Sequence, residues 1–384
     1  MEKNILIVDD SALMRRLISD IIKTDNRFIV KDLANNGLEG LDCIVKNHGA
    51  YDCVILDINM PKMNGLELLE QLQKNKINIT VLMVSTLTKE GASETIIALE
   101  RGAFDFVTKP ENYIEARNGA FRERLLEKLC LATGLENETV AVRKKPESNV
   151  DFGSLRISKN STPSSGRRYG LEKNAYLPHK KLAGSKVGKS KLIALACSTG
   201  GPRALQSVIP KLPANLDAPM VLVQHMPKGF TNSLAQRLDE MSKINVKEAA
   251  DGDILKKGWV YIAPGGKQMR IKKQGTDYKI VTTDEPAVGG LRPCANLMYE
   301  SLIGSSYDEI TCVVMTGMGA DGTAGIGALG EKNNIYVISQ DADTSVVYGM
   351  PKAVAEAKLS DEVKPLEQLA DAIIKNVGVL NNGR

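Results

Sequence analysis

The sequence has few histidines, no closely paired cysteines and no long apolar runs. Each of these absences excludes some classes of site or protein. It contains only three histidines, so few positions can supply a catalytic imidazole. Its six cysteines are scattered and form no Cys-x-x-Cys pair, which indicates reduced thiols in a cytoplasmic protein. The longest apolar runs have the length of a strand, so we expect no transmembrane helix and no membrane insertion. The first residues do not have the pattern of a signal peptide.

The net charge of +4 hides an uneven distribution. Residues 143–191 contain 13 Lys and Arg against 3 Asp and Glu, whereas the rest of the chain contains 37 against 43. A nucleic-acid-binding domain would place its basic excess on a folded face, but this stretch has almost no apolar periodicity. We therefore predict no nucleic-acid partner. A flexible basic linker at 126–190 is expected to join a domain at 1–125 to a second domain at 191–380.

The N-terminal domain alternates short apolar runs with amphipathic segments such as residues 12–22 and 66–73. Five such units predict a parallel sheet that is covered by helices on both faces, because strands buried on both faces are almost continuously apolar. The expected strands lie at residues 5–8, 28–30, 53–56, 79–84 and 104–107.

Polar residues follow four of these strands. Asp9 and Asp10 follow the first strand, Asp57 the third, Ser85 the fourth and Lys109 the fifth. Three carboxylates at one sheet edge would repel each other unless a divalent cation lay among them, and oxygen ligands of this kind suit Mg²⁺. A carboxylate in such a site can accept a phosphoryl group, whose charge the metal and a lysine would neutralise.

These segments resemble the signature of a response-regulator receiver domain, a five-stranded parallel, flavodoxin-like fold. The matching residues are Val8-Asp9-Asp10-Ser11, Asp57-Ile58-Asn59-Met60-Pro61, Gly65 and Thr108-Lys109-Pro110. The resemblance implies that Asp57 is the phosphoacceptor. It also implies that Asp10, Asp57 and the Asn59 carbonyl bind Mg²⁺, with Asp9 close by. Ser85 and Lys109 would sense the phosphorylated state.

The C-terminal domain resumes the α/β pattern and is expected to be a doubly wound, mostly parallel sheet. Three closely spaced runs at 259–262, 269–271 and 278–281 predict an antiparallel hairpin beside that sheet. Three polar residues, Ser198, His225 and Asp321, come shortly after apolar runs at 192–196, 221–223 and 312–315.

These three residues can form a hydrolytic triad, because the ends of parallel strands share one edge of a sheet. Ser198 would be the nucleophile, His225 its base and Asp321 the group that orients the imidazole. The other histidines, His48 and His179, follow no comparable strand.

A second interpretation of the same region stays open. Gly317-x-Gly319-x-x-Gly322 matches the dinucleotide-binding fingerprint, and Asp341 and Asp343 lie about twenty residues further on. The motif comes late in its domain, however, and Asp321 lies where a pyrophosphate would approach. The alternative function is therefore a receiver joined to a binding module that has lost catalysis or binds a dinucleotide.

The whole arrangement resembles the chemotaxis response-regulator protein-glutamate methylesterases. The segments that match are Cys197-Ser198-Thr199-Gly200-Gly201-Pro202, Gln224-His225-Met226-Pro227, Ala263-Pro264-Gly265, Met315 to Gly322 and Val347-Tyr348-Gly349-Met350-Pro351. The resemblance implies the same triad and adds the Met318 amide and Thr199 as groups that hold the oxyanion. In the stretch Arg292-Pro293-Cys294-Ala295-Asn296, Cys294 and Asn296 depart from the Ser and Asp expected of the family, a change that bears on receptor-site preference and not on the chemistry.

The resemblance also implies a function. The enzyme would hydrolyse glutamate methyl esters on methyl-accepting chemotaxis receptors, release methanol, and deamidate receptor glutamines. A chemotaxis histidine kinase would phosphorylate Asp57 and so activate the enzyme. The receiver would need Mg²⁺ for phosphorylation, whereas the esterase would need no cofactor.

Overall fold

The structure is a computed structural model that describes residues 2–110, 119–135 and 190–380. The N-terminal domain is a five-stranded parallel sheet in the order β2-β1-β3-β4-β5, with helices on both faces. Its strands are β1 (Lys3–Val8), β2 (Phe28–Ala34), β3 (Cys53–Asp57), β4 (Val81–Ser85) and β5 (Asp105–Thr108). The helices between them are α1 (Ala12–Ile22), α2 (Gly37–Lys46), α3 (Gly65–Lys74) and α4 (Lys89–Glu100).

The sheet and its helices follow directly from the local sequence. Strands β3 and β4 are buried at every position, as expected for a sheet with helices on both faces. Ser11, Asn36, Asn64 and Thr88 each accept a hydrogen bond from an amide in the first turn of the helix that follows. The predicted fold of this domain is confirmed, and α1 has the predicted bounds.

Helix α5 (Ala120–Ala132) extends this domain beyond its predicted end. Phe121, Leu125 and Leu129 are spaced four residues apart, lie on one face and are fully buried. They join the core cluster that contains Ile18, Ile22 and several strand residues. The predicted boundary at residue 125 falls inside this helix, and the part of the predicted linker at 136–189 lies outside the described residues.

The C-terminal domain is a seven-stranded parallel sheet in the order β14-β13-β12-β6-β7-β9-β8, with a separate two-stranded hairpin. The strands are β6 (Lys191–Cys197), β7 (Met220–Gln224), β8 (Asn245–Glu248), β9 (Trp259–Ile262), β10 (Gln268–Gln274), β11 (Asp277–Thr283), β12 (Glu309–Val314), β13 (Ile335–Gln340) and β14 (Glu362–Lys364). The helices are α6 (Gly201–Val208), α7 (Phe230–Met241), α8 (Ala295–Glu300), α9 (Thr323–Gly330), α10 (Met350–Glu356) and α11 (Leu369–Val377). Among the helices described for both domains, none is long and apolar enough to span a membrane.

The predicted antiparallel hairpin is confirmed, and two of the three predicted runs form it. Strands β10 and β11 pair along their full length, from Gln268 with Thr283 to Gln274 with Asp277. The third run, β9, pairs in parallel with β7 and β8 instead. Three of its four residues are buried, because it lies inside the large sheet, whereas the hairpin exposes one end to solvent.

The two domains contact each other mainly through α4 of the first and α6 and α7 of the second. Lys128 of α5 also bonds Thr199, in the turn before α6. The rings of Phe106 and Phe230 stack with their centroids 4.6 Å apart. The Arg237 guanidinium binds both carboxylate oxygens of Glu100, with the closest contacts at 3.0 Å. These contacts join α4 and β5 to α7, next to the edge where Ser198 lies.

A variant of Tyr299 would test the packing that joins β6 and β12 in the second sheet. Its side chain is fully buried, and its hydroxyl donates to the carbonyls of Ala194 on β6 and Val313 on β12. We expect Tyr299→Phe to lower the free energy of unfolding by about 1–2 kcal/mol, the usual effect of losing a buried hydrogen bond. Urea unfolding followed by the fluorescence of Trp259, the only tryptophan, would report this domain.

Tyr336→Phe is the matched control. The Tyr336 ring is half-buried and its hydroxyl bonds Glu362 at 3.1 Å near solvent, so water can replace the lost bond. We expect this variant to lower the free energy of unfolding by less than about 0.5 kcal/mol. Equal losses of unfolding free energy in the two variants would contradict the role given to Tyr299.

Candidate active site and phosphoacceptor site

Three carboxylates meet at the carboxyl edge of the first sheet. Asp9 and Asp10 follow β1, and Asp57 is the last residue of the neighbouring strand β3. One carboxylate oxygen from each lies within 4.8 Å of the others. Asp9 and Asp57 are buried, whereas Asp10 is open to solvent. The acidic cluster expected from the sequence is therefore assembled.

The Lys109 ammonium group lies among these acids. Its Nζ is 3.0 Å from Asp9 Oδ2 and 2.8 Å from Asp57 Oδ2. Burial raises the pKa of Asp57 to about 6, and the charge of Lys109 offsets this only in part. Burial also acts to lower the pKa of Lys109, but Asp57 and Asp9 more than reverse this, so the net shift is upward. The cluster carries more negative charge than Lys109 balances, and its oxygen donors fit Mg²⁺.

The other two predicted receiver residues face helix α4. The Ser85 hydroxyl donates to the Gly91 carbonyl at 3.1 Å and accepts from the Thr95 hydroxyl at 2.7 Å. The Asn59 side chain donates to Glu94 at 3.0 Å, and its backbone lies two residues after Asp57. Ser85 would therefore have to change partners to bind a phosphoryl group on Asp57.

Ser198 follows β6 at the middle of the carboxyl edge of the second sheet. Its amide donates to the Thr316 carbonyl at 3.0 Å, and its own carbonyl accepts from the Gly201 amide at 2.7 Å. Gly200 has a φ of +77°, and a Cβ there would lie 2.5 Å from Val346. The serine is therefore held at a half-buried position on a tight turn between β6 and α6.

His225 and Asp321 come to the same edge from the two strands that flank β6. His225 follows β7, and Asp321 lies in the loop after β12. His225 Nε2 lies 2.8 Å from Asp321 Oδ2. The His225 amide donates to the Cys197 carbonyl at 3.2 Å, so the residue before Ser198 is a backbone neighbour of the histidine. The edge thus combines a serine, an imidazole and a buried carboxylate, which are the groups that acyl transfer needs.

Asp321 is held by four hydrogen-bond donors. Oδ2 accepts from His225 and from the Ala295 amide at 2.6 Å. Oδ1 accepts from the Asn296 amide at 3.0 Å and from the Cys294 thiol at 3.2 Å. Burial alone would raise the pKa of Asp321, but the bond to His225 and the two amides outweigh it, so the pKa is lowered. The carboxylate therefore stays charged near neutral pH and can orient the imidazole.

The two departures from the family pattern, Cys294 and Asn296, both contact Asp321. Helix α8 begins at Ala295 and directs its first amides and the Cys294 thiol toward this carboxylate. Both residues therefore hold the carboxylate of the candidate triad in place. An effect of these two residues on receptor-site preference stays a prediction.

Gln224 is a supporting residue that the sequence analysis did not assign. Its Nε2 donates to the carbonyls of Ser198 at 3.0 Å and His225 at 3.2 Å. It ends an apolar strand and directly precedes His225, a signal that could have identified it. A Cβ on Gly201 would lie 2.1 Å from Gln224 Oε1, so the glycine leaves the space that this amide occupies.

Cys197 precedes Ser198 but faces the interior. Its side chain is fully buried, and the thiol donates to Gln224 Oε1 at 3.1 Å. Burial raises the pKa of this thiol far above its usual value. Because the thiolate is the reactive form of cysteine, Cys197 is a poor alternative to Ser198 as nucleophile.

The two predicted oxyanion residues flank Ser198. Met318 follows Gly317, and a Cβ on Gly317 would lie only 2.8 Å from the Ser198 Cβ. Thr199 follows Ser198 directly; its hydroxyl bonds Lys128 Nζ of α5 at 2.7 Å, and its carbonyl accepts from the Thr316 hydroxyl at 2.9 Å. Their place beside the serine is clear, and their role in holding an oxyanion stays a prediction.

The loop that matches the dinucleotide fingerprint is already engaged within the protein. The amides of Gly322 and Gly325, at the start of α9, both donate to Asn296 Oδ1, at 3.0 and 2.7 Å. A bound pyrophosphate would need amides of this kind. The buried Asp321 carboxylate also lies in this loop, and its charge would repel a phosphate. These contacts argue against the dinucleotide interpretation.

Known protein families match both halves of the chain. Residues 5–118 match the response regulator receiver domain and residues 193–373 match CheB methylesterase. A protein-glutamate methylesterase/protein-glutamine glutaminase of Geobacillus kaustophilus is 39% identical over 97% of this chain and 98% of that protein. A protein of the same description from Oceanobacillus iheyensis is 38% identical over 97% of this chain and 98% of its own length.

A solved structure of the CheB methylesterase catalytic domain of Thermotoga maritima is 40% identical in sequence and covers 48% of this chain and 98% of that one, with a TM-score of 0.46. The two matched families define a receiver domain followed by a methylesterase domain. With near full-length relatives of that description, the chain belongs to the protein-glutamate methylesterase/protein-glutamine glutaminase family.

The burial of Cys197 predicts its reactivity. We expect iodoacetamide to alkylate the half-exposed Cys43 of the native protein much faster than Cys197, because each unit of pKa elevation lowers the thiolate fraction about tenfold. Peptide mass spectrometry over a time course would measure both rates. Alkylation of Cys197 at the rate of Cys43 would show that its thiol is accessible and would make it a candidate nucleophile.

Proposed function

We propose that this protein is a phosphorylation-activated serine hydrolase that acts on methyl-accepting chemotaxis receptors. It hydrolyses the methyl esters of specific receptor glutamates, releases methanol and deamidates receptor glutamines, and so provides adaptation feedback. The 2.8 Å contact between His225 and Asp321, beside the turn that carries Ser198, is the observation on which this proposal chiefly rests. The six free cysteines accord with a reducing cytoplasm.

In the first step Ser198 attacks the side-chain carbonyl of the methylated glutamate. Because Nε2 of His225 is bonded to Asp321, the other ring nitrogen, Nδ1, takes the serine proton. The carbonyl carbon becomes tetrahedral, and its oxyanion is held by the Met318 amide and Thr199. Asp321 stays ionised and stabilises the imidazolium that forms.

The tetrahedral species then collapses. The imidazolium returns its proton to the methoxide, methanol leaves, and the glutamyl group remains as an ester of Ser198. Water gives a proton to His225 and attacks this ester, which restores Ser198 and releases the glutamate carboxylate. A glutamine side chain follows the same path with ammonia as the leaving group, which departs less readily than methanol.

We propose that Asp57 accepts a phosphoryl group from a chemotaxis histidine kinase. Asp10, Asp57 and the Asn59 carbonyl would hold Mg²⁺, with Asp9 close by, and the ion would neutralise charge on the incoming phosphoryl group. Lys109 already lies against Asp57 and would contact the new phosphate, and Ser85 would exchange its bond with Gly91 for one to the phosphate.

The interface between the domains supports inhibition in the unphosphorylated state. Lys128 of α5 is paired with Asp105 on β5, and the same ammonium group bonds the Thr199 hydroxyl beside Ser198. Strand β5 also carries Phe106, which stacks on Phe230, and Lys109 follows its end. A rearrangement around Asp57 would therefore act on a strand that reaches the catalytic edge. Phosphorylation would favour a packing in which these contacts open.

The nucleophile can be tested with a single variant. We expect Ser198→Ala to lower methanol release at least about 1,000-fold, because no other group supplies the attacking oxygen. Phosphorylation of Asp57 by a small phosphodonor should be unaffected, since the receiver is unchanged. Cys197→Ala is the control and should keep most of the activity. Full activity in Ser198→Ala would overturn the assignment of the nucleophile.

The inhibitory interface can be tested by removing one ion pair. Arg237 and Glu100 are each about one-third exposed, so after solvent screening the pair contributes about 1 kcal/mol or less. We expect Arg237→Gln to raise the methanol release of the unphosphorylated protein about two- to fivefold. Stimulation by a phosphodonor should become correspondingly smaller.

Lys247→Gln is the control for the loss of charge. It breaks a pair with Asp253 inside the C-terminal domain, away from the interface. This variant should keep the basal rate and the stimulation of the native protein. If Arg237→Gln has the same basal methanol release and the same stimulation as Lys247→Gln, the ion pair with Glu100 does not contribute to the inhibition.

A further inference from the structure

Two short helices cap each other next to the candidate triad. The first amides of α8, on Ala295 and Asn296, donate to the Asp321 carboxylate, which lies just before α9. In return, Asn296 Oδ1 accepts from the Gly322 and Gly325 amides at the start of α9. Each loop therefore satisfies the amides that begin the other helix. We call Cys294, Ala295, Asn296, Asp321, Gly322 and Gly325 the reciprocal clamp.

The close approach of the two helices depends on a glycine. A Cβ on Gly325 would lie 2.8 Å from the Asn296 carbonyl oxygen and 3.0 Å from the Tyr299 Cβ. With glycine there, the Asn296 side chain reaches both amides within hydrogen-bond distance. Because an asparagine amide is neutral, it satisfies these donors without adding a second negative charge beside Asp321.

Cys294 contributes the fourth donor to Asp321. Its side chain is 1% exposed, and Sγ lies 3.2 Å from Asp321 Oδ1, the oxygen that does not contact His225. Burial raises the pKa of this thiol to about 12, so it stays protonated and can donate. A thiol is a weak donor, and it therefore withdraws less charge from the carboxylate than a hydroxyl would.

We propose that Cys294 and Asn296 are positioning residues that set the direction and the charge density of Asp321 and, through it, the proton affinity of His225. The inference rests on the proposed roles of His225 and Asp321 in hydrolysis. Helix α8, which packs against this carboxylate, also carries the ionisable groups of Tyr299 and Glu300. Tyr299 is buried and its hydroxyl donates to backbone carbonyls, whereas Glu300 is half-buried at the far end of the helix. The proposal therefore makes the proton affinity of His225 depend on residues that do not touch it.

Nuclear magnetic resonance tests the proposal without relying on turnover. The protein has three histidines, so the His225 ring signal can be assigned by comparison with a His225→Gln variant. We expect Cys294→Ala to raise the pH at which the His225 signal titrates by about 0.3–1 unit, because Asp321 then keeps more charge. Cys294→Ser should lower it, since a hydroxyl is the stronger donor.

Asn296 gives the second pair of variants. Asn296→Asp keeps an acceptor for both glycine amides but adds a charge, so the His225 signal should titrate at a higher pH. Asn296→Ala leaves two amides without their partner, and we expect kcat to fall about tenfold with little change in KM because Asp321 is less well aligned. Restored kcat in Asn296→Asp relative to Asn296→Ala would support positioning by the side-chain acceptor.

Asn333→Ala is the matched control for lost stability. Asn333 is a buried asparagine of the same domain, and its Oδ1 also accepts from a glycine amide, that of Gly304, at 2.8 Å. This variant should unfold more easily, as judged by Trp259 fluorescence, and leave the His225 titration where it is. If the Cys294 and Asn296 variants also leave it unchanged, the proposal is wrong. The native protein could also prove to have no esterase activity while the His225 titration still moves as expected in the variants. That result would support the positioning role of the reciprocal clamp and contradict the proposed hydrolysis.

Discussion

The hydrogen bond between His225 and Asp321 is the interaction on which the candidate active site of the C-terminal domain depends. It joins residues 96 positions apart in sequence, across the strand that ends at Ser198. The bond forms because β12, β6 and β7 are adjacent and parallel, so the loops after them meet at one edge. A buried carboxylate needs partners to remain charged, and four donors surround Asp321. The turn that presents Ser198 and the capping of α8 and α9 both follow from this arrangement.

The same constraint operates in the N-terminal domain with different chemistry. There too the functional residues follow adjacent parallel strands, and the side chains that meet are Asp9, Asp57 and Lys109. The two edges are linked through β5, which ends next to Lys109 and carries Asp105 and Phe106 at the domain contact. Both candidate sites therefore form for the same reason, because adjacent parallel strands end at one edge of their sheet. The contact between the two domains is the basis of the control that we propose.

Much of this could be predicted from the sequence, because the relevant signals are local. Runs of apolar residues mark strands buried on both faces, and a polar residue directly after such a run marks the edge. On this basis the sequence predicts that Asp57, Ser198 and His225 lie at the carboxyl edges of the two sheets. The antiparallel hairpin was also predicted, although the run at Trp259 belongs to the parallel sheet, since a short apolar run does not reveal its partners.

The remaining features depend on contacts that no local pattern encodes. The stripe of Phe121, Leu125 and Leu129 crosses the boundary predicted at residue 125, because its burial depends on packing against the first core that the local pattern does not show. Consequently the contact of Lys128 with Thr199 could not be foreseen. Asn296 was recognised only as a departure from a family pattern, because its role depends on how closely α8 and α9 approach each other.

The most direct test of this account is methanol release from methylated receptor membranes, measured with and without Mg²⁺ and a small phosphodonor. The account predicts slow release from the unphosphorylated protein and a clear rise when both Mg²⁺ and the phosphodonor are present. Methanol release that does not change with the phosphodonor would support the hydrolase and contradict its control through Asp57. No release under any condition would contradict the central claim that Ser198, His225 and Asp321 form a working esterase.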